Sequence, residues 1–184
     1  MKHYITIKVL PDPEFQQSLL MNALFSKLHR GLVQAGQGEI GISFPGFNGT
    51  LGDQIRLHSH AASLVRLMDS AWLKGLRDYT HLTAISDVPP VVKYRVVKRV
   101  QVKSGVTRLR RRSVRKGWMS EAEAVERIPL TRERKSKQPF LQLKSQSTGQ
   151  AFRLFIEHGD IVGQAVTGGF SAYGLSGNAT IPWF

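Results

Sequence analysis

Residues 3–34 read HYITIKVLPDPEFQQSLLMNALFSKLHRGLVQ, and this stretch predicts how the fold begins. Apolar and polar side chains alternate through residues 3–10, which is typical of a half-buried strand. From residue 14 to residue 34, apolar side chains recur every three or four positions, which predicts a long amphipathic helix. The Pro-Asp-Pro sequence between them predicts a turn. The chain therefore starts with a strand followed by a helix.

The segments that follow extend this pattern. They are a strand at 40–44, a strand at 54–58, a helix at 61–74 and a strand between 79 and 85. The order β-α-β-β-α-β is that of the ferredoxin-like unit, in which both helices cover one face of a sheet. Two prolines at 89 and 90 mark a boundary. We therefore predict an α+β protein with a ferredoxin-like domain at residues 1–88 and a second domain at 91–184.

The charge of the chain is concentrated at one place. The net charge is +13, and residues 93–116, KYRVVKRVQVKSGVTRLRRRSVRK, contain eleven Lys and Arg and no Asp or Glu. Such a segment favours a polyanion, since neutralised phosphates release their condensed counterions. An acidic membrane surface, or a solvated basic segment without a specific partner, is the alternative. We interpret the run as a nucleic-acid interface.

The basic run divides at Gly105. Residues 93–103 alternate β-branched and basic side chains, which predicts a strand. After Gly105, arginines recur at helical spacing over about 106–116, with a thin apolar face for docking. Further on, Ser120 and Glu123 have the spacing of a capping box, residues 131–139 suggest a mobile loop, and short strands are predicted in the last part of the chain. Those strands are expected at 140–144, 151–157, 161–166 and 169–174.

Composition excludes several classes of protein. The 184 residues, 41% of them hydrophobic, are enough for one or two small cores. The chain has no Cys, which excludes disulfides, zinc–thiolate sites and cysteine nucleophiles. The start has no signal-peptide core, and no apolar run reaches membrane-spanning length. We expect a soluble protein of the bacterial cytoplasm.

Histidines are the first candidates for chemistry. His58 and His60 lie on one side of a predicted strand, and we interpret them as surface polar residues rather than metal ligands, since no further ligands accompany them. His29 lies late in the first helix, beside its apolar row. A lone histidine in such a place is more often structural, although a base at the rim of a core is the alternative.

Two later segments strengthen the case for RNA chemistry. The turn SQSTGQ at 145–150 is rich in hydroxyls and amides, and Phe152 follows it. Small hydroxyls can hold a ribose 2′-OH, and an aromatic ring can stack on a base. Tyr173 stands among glycines, where it could orient an imidazole or a phosphate. Catalysis on RNA, RNA binding without catalysis, and binding of single strands all remain compatible with these residues.

Several motifs together resemble one known family. They are HYITIKVLPDPEF from residue 3, LFSKLHRGL from 24, RVQVKSGVTRLRRRSVRK from 99, SQSTGQAFRLFI from 145, GGFSAYGLS from 168 and the terminal PWF. In this order they resemble the CRISPR repeat-processing endoribonucleases of type I-F systems. The resemblance implies cleavage of precursor RNA at the base of the repeat hairpin by 2′-OH attack, without metal or other cofactor. It also implies a monomer that stays on the product RNA and joins the other subunits of a surveillance complex.

The resemblance also implies roles for individual residues. His29 would be the general base, Ser145 would hold the 2′-OH, and Tyr173 would position the imidazole. Phe152 would stack on the terminal base pair, and Arg99 and Gln101 would contact base edges low in the stem. The remaining RNA-binding residues would be Gln146, Ser147 and Thr148 on the turn, and Arg108, Arg111, Arg112, Arg115 and Lys116 on the basic helix.

Lys116 departs from this pattern, because the family is expected to carry arginine there. Lysine keeps the charge but loses the planar fork that makes bidentate contacts. The major groove of A-form RNA is deep and narrow, so a side chain seldom reads it. A slim arginine-coated helix would have to enter where the groove opens, beside the loop or at an end of the stem.

Overall fold

The computed structural model describes residues 1–101, 105–130 and 136–184, which contain two antiparallel sheets and four α-helices. The α+β class predicted from the sequence is confirmed. The chain forms two compact units. The first unit comprises Met1–Arg99 and Gln138–Phe184, and the second comprises Val100–Lys137. The division into domains at residues 1–88 and 91–184 stays a prediction.

The first sheet of the first unit is built from the amino-terminal part of the chain. Its elements are β1 (His3–Val9), α1 (Gln17–Gly31), β2 (Gly41–Ser43), β3 (Gln54–Ser59), α2 (Ala61–Asp69), β4 (Thr80–Leu82) and β5 (Ser86–Asp87). The strand order is β2-β3-β1-β4, β5 also pairs with β1, and these pairs are antiparallel. Ile7 lies opposite Ile55, and both side chains are fully buried. The apolar side chains that alternate through residues 3–10 therefore form part of a core.

The second sheet of the same unit contains β6 (Lys93–Val100), β7 (Phe140–Lys144), β8 (Ala151–Val162) and β9 (Thr180–Trp183). Its strand order is β7-β8-β6-β9. Helix α1 buries Leu24, Phe25 and Leu28 in a core that also includes residues of β7 and β8. The backbone N–H of Gln142 in β7 donates to Asn22 Oδ1 of α1, over 3.0 Å. This bond fixes the helix against the strand that leads to residue 145.

The second unit contains helices α3 (Val106–Arg115) and α4 (Glu121–Arg127). The predicted capping box is confirmed. Ser120 Oγ accepts from the Glu123 backbone N–H, and the Glu123 carboxylate accepts from the Ser120 backbone N–H. Arg110 donates to the carbonyls of Val125 and Ile128, which joins the two helices. Among the described helices of both units, none has the length and hydropathy needed for a bilayer crossing.

Several predicted boundaries were wrong. The first helix starts at Gln17, because the backbone at 14 and 15 instead donates to Asp12 Oδ1 in a turn. After Gly31 it continues as a π-helical turn, Leu32–Gly36. The helix predicted at 61–74 ends at Asp69.

The predictions for the last strands were also partly wrong. The strand predicted at 161–166 is only the end of β8, which stops at Val162. No strand forms at 169–174, since Ser171 to Gly174 is a turn and Gly174 has φ +68. The end of the strand predicted at 93–103 and most of the loop predicted at 131–139 fall outside the described residues.

Candidate active site and nucleic-acid interface

A cleft of about 290 Å³ in the first unit brings together residues that are distant in the chain. It is lined from α1, from the hairpin between β7 and β8, and from the loop before β9. Six of the predicted site residues line it, namely His29, Ser145, Gln146, Ser147, Phe152 and Tyr173. Thr148 lies next to the cleft, where its backbone N–H donates to Ser145 Oγ over 3.3 Å. The separate sequence motifs therefore meet at one site.

His29 is held by an aromatic ring that also lines the cleft. Its imidazole stacks on the Tyr173 ring, with the centroids 4.3 Å apart and the planes at 14°. Tyr173 in turn lies parallel to the buried Phe25 ring, 6.4 Å away. Because Phe25 and His29 are four residues apart on α1, they share one face of the helix. Tyr173 thus packs against that face and fixes the plane of the imidazole.

The surroundings of His29 favour its neutral form. Partial burial lowers the pKa of the imidazole below its ordinary value of 6.5, and the neighbouring Arg30 cation lowers the pKa further. At neutral pH the ring is therefore deprotonated and has a nitrogen free to accept a proton. The structure thus gives His29 the charge state that a general base needs.

The turn at residues 145–150 arranges its hydroxyls through its own backbone. The Ser145 N–H donates to the Gln150 carbonyl, and the Gly149 N–H donates to the Ser145 carbonyl, each over 2.9 Å. Gly149 closes the turn at φ +67, a backbone region that glycine adopts without strain. Ser145 Oγ and Ser147 Oγ lie 3.2 Å apart. Two hydroxyls are thereby presented together at the mouth of the cleft.

Three lining residues were missed by sequence reasoning: Ser26, Leu143 and Lys144. Ser26 precedes His29 by one helical turn, so helical spacing alone could have identified it. Lys144 looks like an ordinary exposed strand residue. Only its position directly before Ser145 indicates that it belongs to the site. Among the described residues that line the cleft, Lys144 carries the formal positive charge and none carries a negative one.

The two residues expected to contact the lower stem are close in the chain: Arg99 lies in β6, and Gln101 follows that strand. Arg99 is exposed, with its guanidinium 5.6 Å from the centre of the Tyr173 ring. This contact brings Arg99 to the same aromatic ring that packs on His29. Gln101 is exposed and belongs to the second unit.

Helix α3 presents the predicted basic surface of the second unit. Arg108, Arg111, Arg112, Arg115 and Lys116 are all exposed. Arg110 differs, because it is half-buried and its guanidinium is held by α4 carbonyls. Arg110 was not among the RNA-binding residues predicted from the sequence. Its hydrogen bonds to α4 give Arg110 a structural role.

The pair His58 and His60 was wrongly predicted to be a surface pair. His58 is fully buried, its Nε2 lies 2.9 Å from Ser43 Oγ, and burial lowers the pKa of its imidazole to about 3. His60 is exposed at the start of α2. Within the described ranges, no group of three or more His, Asp and Glu side chains is arranged to hold a metal ion.

Comparison with known proteins agrees with the motifs. Residues 4–184 match the family described as CRISPR-associated protein (Cas_Csy4). The chain is 53% identical over 184 residues to the CRISPR-associated endonuclease Cas6/Csy4 of Escherichia coli (strain UTI89 / UPEC), with 100% of both chains covered. It is 48% identical over 187 residues to the protein of the same name from Pseudomonas aeruginosa (strain UCBPP-PA14), again with 100% of both covered. The chain therefore belongs to the Cas_Csy4 family, the repeat-processing endoribonucleases of type I-F CRISPR systems.

Proposed function

We propose that this CRISPR RNA endonuclease cuts the precursor transcript at the base of the repeat hairpin, without a metal ion, and stays bound to the mature product. The observation that carries the proposal is the neutral imidazole of His29, stacked on Tyr173 in a cleft that also contains the Ser145 turn. Two Cas6/Csy4 endonucleases that are similar over their whole length support the same activity.

In the proposed reaction, the ribose 2′-OH at the cut site attacks the adjacent phosphorus. A 2′-O–P bond forms, the P–O5′ bond breaks, and the products are a 2′,3′-cyclic phosphate and a 5′-OH. His29 accepts the proton of the 2′-OH, while Ser145 holds that hydroxyl by a hydrogen bond. The leaving 5′ oxygen takes a proton from water or from the imidazolium formed at His29. The atoms and charges balance without a co-reactant.

Negative charge builds up on the phosphate oxygens and on the leaving 5′ oxygen during this reaction, and the cleft has to stabilise it. Lys144 supplies a positive charge beside Ser145, and the Ser147 hydroxyl can donate to a phosphate oxygen. Tyr173 restricts the imidazole to one plane, which holds the base in position before the substrate arrives. Phe152, which is half-buried and lines the cleft, would stack on the terminal base pair of the stem.

The exposed arginines of α3 are proposed to bind the phosphates that flank the groove of the stem, and Arg112 to reach a base. Arg99 and Gln101 would contact base edges low in the stem, and Gln146 and Thr148 would contact the RNA near the cut. Lys116 would act as a point charge rather than as a bidentate ligand. The other subunits of the type I-F complex are proposed partners of the RNA-bound protein.

The ferredoxin-like interpretation of the first sheet is part of this proposal. The strand order β2-β3-β1-β4, with antiparallel neighbours and two intervening helices, supports it. In such a unit the first helix lies across one face of the sheet. Helix α1 can then carry His29 to the rim of the core, where the second sheet brings the Ser145 turn.

The deciding experiment is incubation of the protein with its own CRISPR repeat hairpin in EDTA, followed by identification of the RNA ends. We expect a cyclic phosphate upstream and a 5′-OH downstream, and no cleavage when the cut site carries a single 2′-deoxy sugar. Tight binding without any cleavage would instead favour a non-catalytic RNA-binding protein.

The matched variant is His29→Ala, which should bind the hairpin as tightly as the wild type and fail to cut it. Binding is expected to survive because the arginines of α3 are untouched. A folded His29→Ala protein that loses hairpin binding would contradict the role of His29 as the base.

A further inference from the structure

Trp118 is an exposed aromatic side chain for which the proposed reaction has no use. It lies directly after helix α3 in the second unit, and 62% of its surface is exposed. A single exposed apolar residue is ordinary and needs no explanation. Three further features set Trp118 apart: the fixed backbone that carries it, the cations beside its ring, and the charge of the segment that ends with it.

The backbone around Trp118 is held by a Schellman motif. The Gly117 N–H donates to the Val114 carbonyl over 2.9 Å, and the Trp118 N–H donates to the Ser113 carbonyl over 3.0 Å. Gly117 has φ +68, the left-handed conformation that this motif requires. The direction in which the tryptophan leaves the helix is therefore set by two hydrogen bonds, so ordering it for a ligand costs little.

Two cations flank the indole without covering it. The Arg112 guanidinium carbon lies 6.0 Å from the centre of the Trp118 ring, and the Lys116 Nζ lies 5.9 Å away. Both distances are at the outer limit of a cation–π contact, so the contacts themselves are weak. They leave the aromatic surface largely open while placing two positive charges beside it.

The segment that ends with Trp118 selects the kind of partner. Residues 105–118 contain six Lys and Arg and no Asp or Glu. A protein partner would have to be strongly acidic there, whereas a nucleotide carries a planar base and an anionic phosphate side by side. Unpaired RNA bases are commonly bound by stacking on aromatic rings next to arginine. The aromatic surface and its cations together match a nucleotide.

We propose that Trp118, with Arg112 and Lys116, forms a stacking site for an unpaired base of the repeat RNA. The inference rests on the proposed function, in which α3 lies along the stem. Because Trp118 follows the last turn of α3, it would lie near one end of the stem. The base would come from the hairpin loop or from the single-stranded flank, since bases within the stem are paired.

The test measures the affinity of the wild type, Trp118→Ala and Trp118→Phe for the hairpin at fixed salt. Each protein is combined with intact RNA, with RNA carrying abasic loop nucleotides, and with RNA carrying abasic flanking nucleotides. We expect Trp118→Ala to bind intact RNA about 10-fold more weakly, as is typical for the loss of one stacked base. Trp118→Phe should recover most of this loss, because it keeps an aromatic ring.

The abasic RNAs identify the source of the base. Abasic substitution at the stacked nucleotide should weaken wild-type binding and remove the difference between wild type and Trp118→Ala.

The salt dependence of binding distinguishes a stacking contact from a charge contact. The slope of log affinity against log salt should not change in Trp118→Ala, whereas Arg112→Ala should reduce its magnitude by about 1.

The control is Val125→Ala, which removes another exposed apolar side chain of the second unit, on α4. It should leave RNA affinity unchanged. If Trp118→Ala binds and cuts the hairpin like the wild type, the stacking site is refuted while the proposed function stands. A Trp118→Ala protein that keeps full RNA affinity but no longer assembles with the other complex subunits would also refute the stacking site. That result would assign Trp118 to a protein contact. A wild type that does not bind the hairpin would refute the proposed function itself.

Discussion

The parallel contact between His29 and Tyr173 fixes the plane of the imidazole that is proposed as the general base. The ring centroids are 4.3 Å apart and the ring planes are nearly parallel, so the face of Tyr173 rather than its hydroxyl touches the imidazole. We therefore predict that Tyr173→Phe keeps most of the cleavage rate at saturating RNA, whereas Tyr173→Leu loses about 10- to 100-fold because the base is no longer held in plane. Single-turnover cleavage measures both. A Phe variant as slow as the Leu variant would assign the role to the phenol.

The lowered pKa of His29 predicts the pH profile of the enzyme. A base acts in its deprotonated form, so kcat/KM should stay level at neutral pH and fall only below the ordinary histidine value of 6.5. Since the Arg30 cation contributes to the lowering, Arg30→Gln should move the midpoint upward, toward 6.5. The measurement is kcat/KM between pH 5 and pH 8. A midpoint that does not move in Arg30→Gln would show that the Arg30 charge does not act on the titrating group.

Lys144 is a positively charged side chain that lines the cleft beside Ser145. If its charge stabilises the reacting phosphate, Lys144→Met should lower the rate at saturating RNA by about 100-fold and Lys144→Arg should restore part of it. Lys74→Met, which removes an exposed lysine that does not line the cleft, should leave the rate unchanged. A Lys144→Met protein that binds more weakly but cuts at full rate when saturated would limit Lys144 to binding.

Sequence reasoning identified the site residues unevenly. The local pattern of residues indicated the hydroxyl-rich turn. It left the role of His29 open, since a histidine beside an apolar row is usually structural. Only the family resemblance connected His29 with Ser145 and Tyr173, because their proximity depends on how two sheets pack. Lys144 carried no signal of its own, as a surface lysine is common in any chain, and the signal for Ser26 was only its helical spacing to His29.

At the scale of elements, the predictions succeeded where a short motif sets the structure. The capping box at Ser120 and the arginine helix follow from spacings of three and four residues, and both formed. The strand predicted at 169–174 failed because its glycines permit a turn that alternation of side chains cannot reveal. There the Gly174 carbonyl accepts from the Ile42 N–H, a contact distant in sequence.

The end of α3 allows an element-scale prediction. Gly117 has φ +68 and open space around its Cα, so only the backbone conformation resists substitution. Gly117→Ala should therefore reduce the free energy of unfolding by about 1 kcal/mol, whereas Gly117→Asn should reduce it less because asparagine tolerates the left-handed region. Urea unfolding followed by circular dichroism measures both. Equal losses in the two variants would show that the backbone conformation is not the cause.

At the scale of the whole molecule, a buried histidine and a half-buried one link folding to pH. His58 is fully buried and its pKa is lowered to about 3, while burial and the Arg95 cation lower the pKa of His158 to about 4. In the unfolded chain both would titrate near 6.5. At pH values between 6.5 and the pKa of each histidine in the folded state, the unfolded state binds protons that the folded state does not. The free energy of unfolding should therefore fall as the pH is lowered through this range.

His158 offers the clearest test of this link. Its ring stacks on Phe47 at 4.3 Å and meets Trp183 edge-on, and within the described residues neither ring nitrogen has a hydrogen-bond partner. Phenylalanine can keep the aromatic packing without a titrating group. His158→Phe should therefore match or exceed the wild-type stability at pH 7. At pH 5 it should be more stable than the wild type by about 1 kcal/mol, a value reduced to allow for partial exposure.

Urea unfolding at the two pH values measures this difference, and Phe47→Leu provides a second test. Loss of the Phe47 ring removes packing and exposes the His158 imidazole, so it should lower the free energy of unfolding at pH 7. The loss should be smaller at pH 5, because the pKa of a less buried His158 lies closer to 6.5. If His158→Phe loses as much stability between pH 7 and pH 5 as the wild type does, the acid sensitivity does not come from His158. It would then come from His58 or His29, whose pKa values are also lowered. Replacement of His58 would in addition break its hydrogen bond to Ser43, so stability would fall at both pH values.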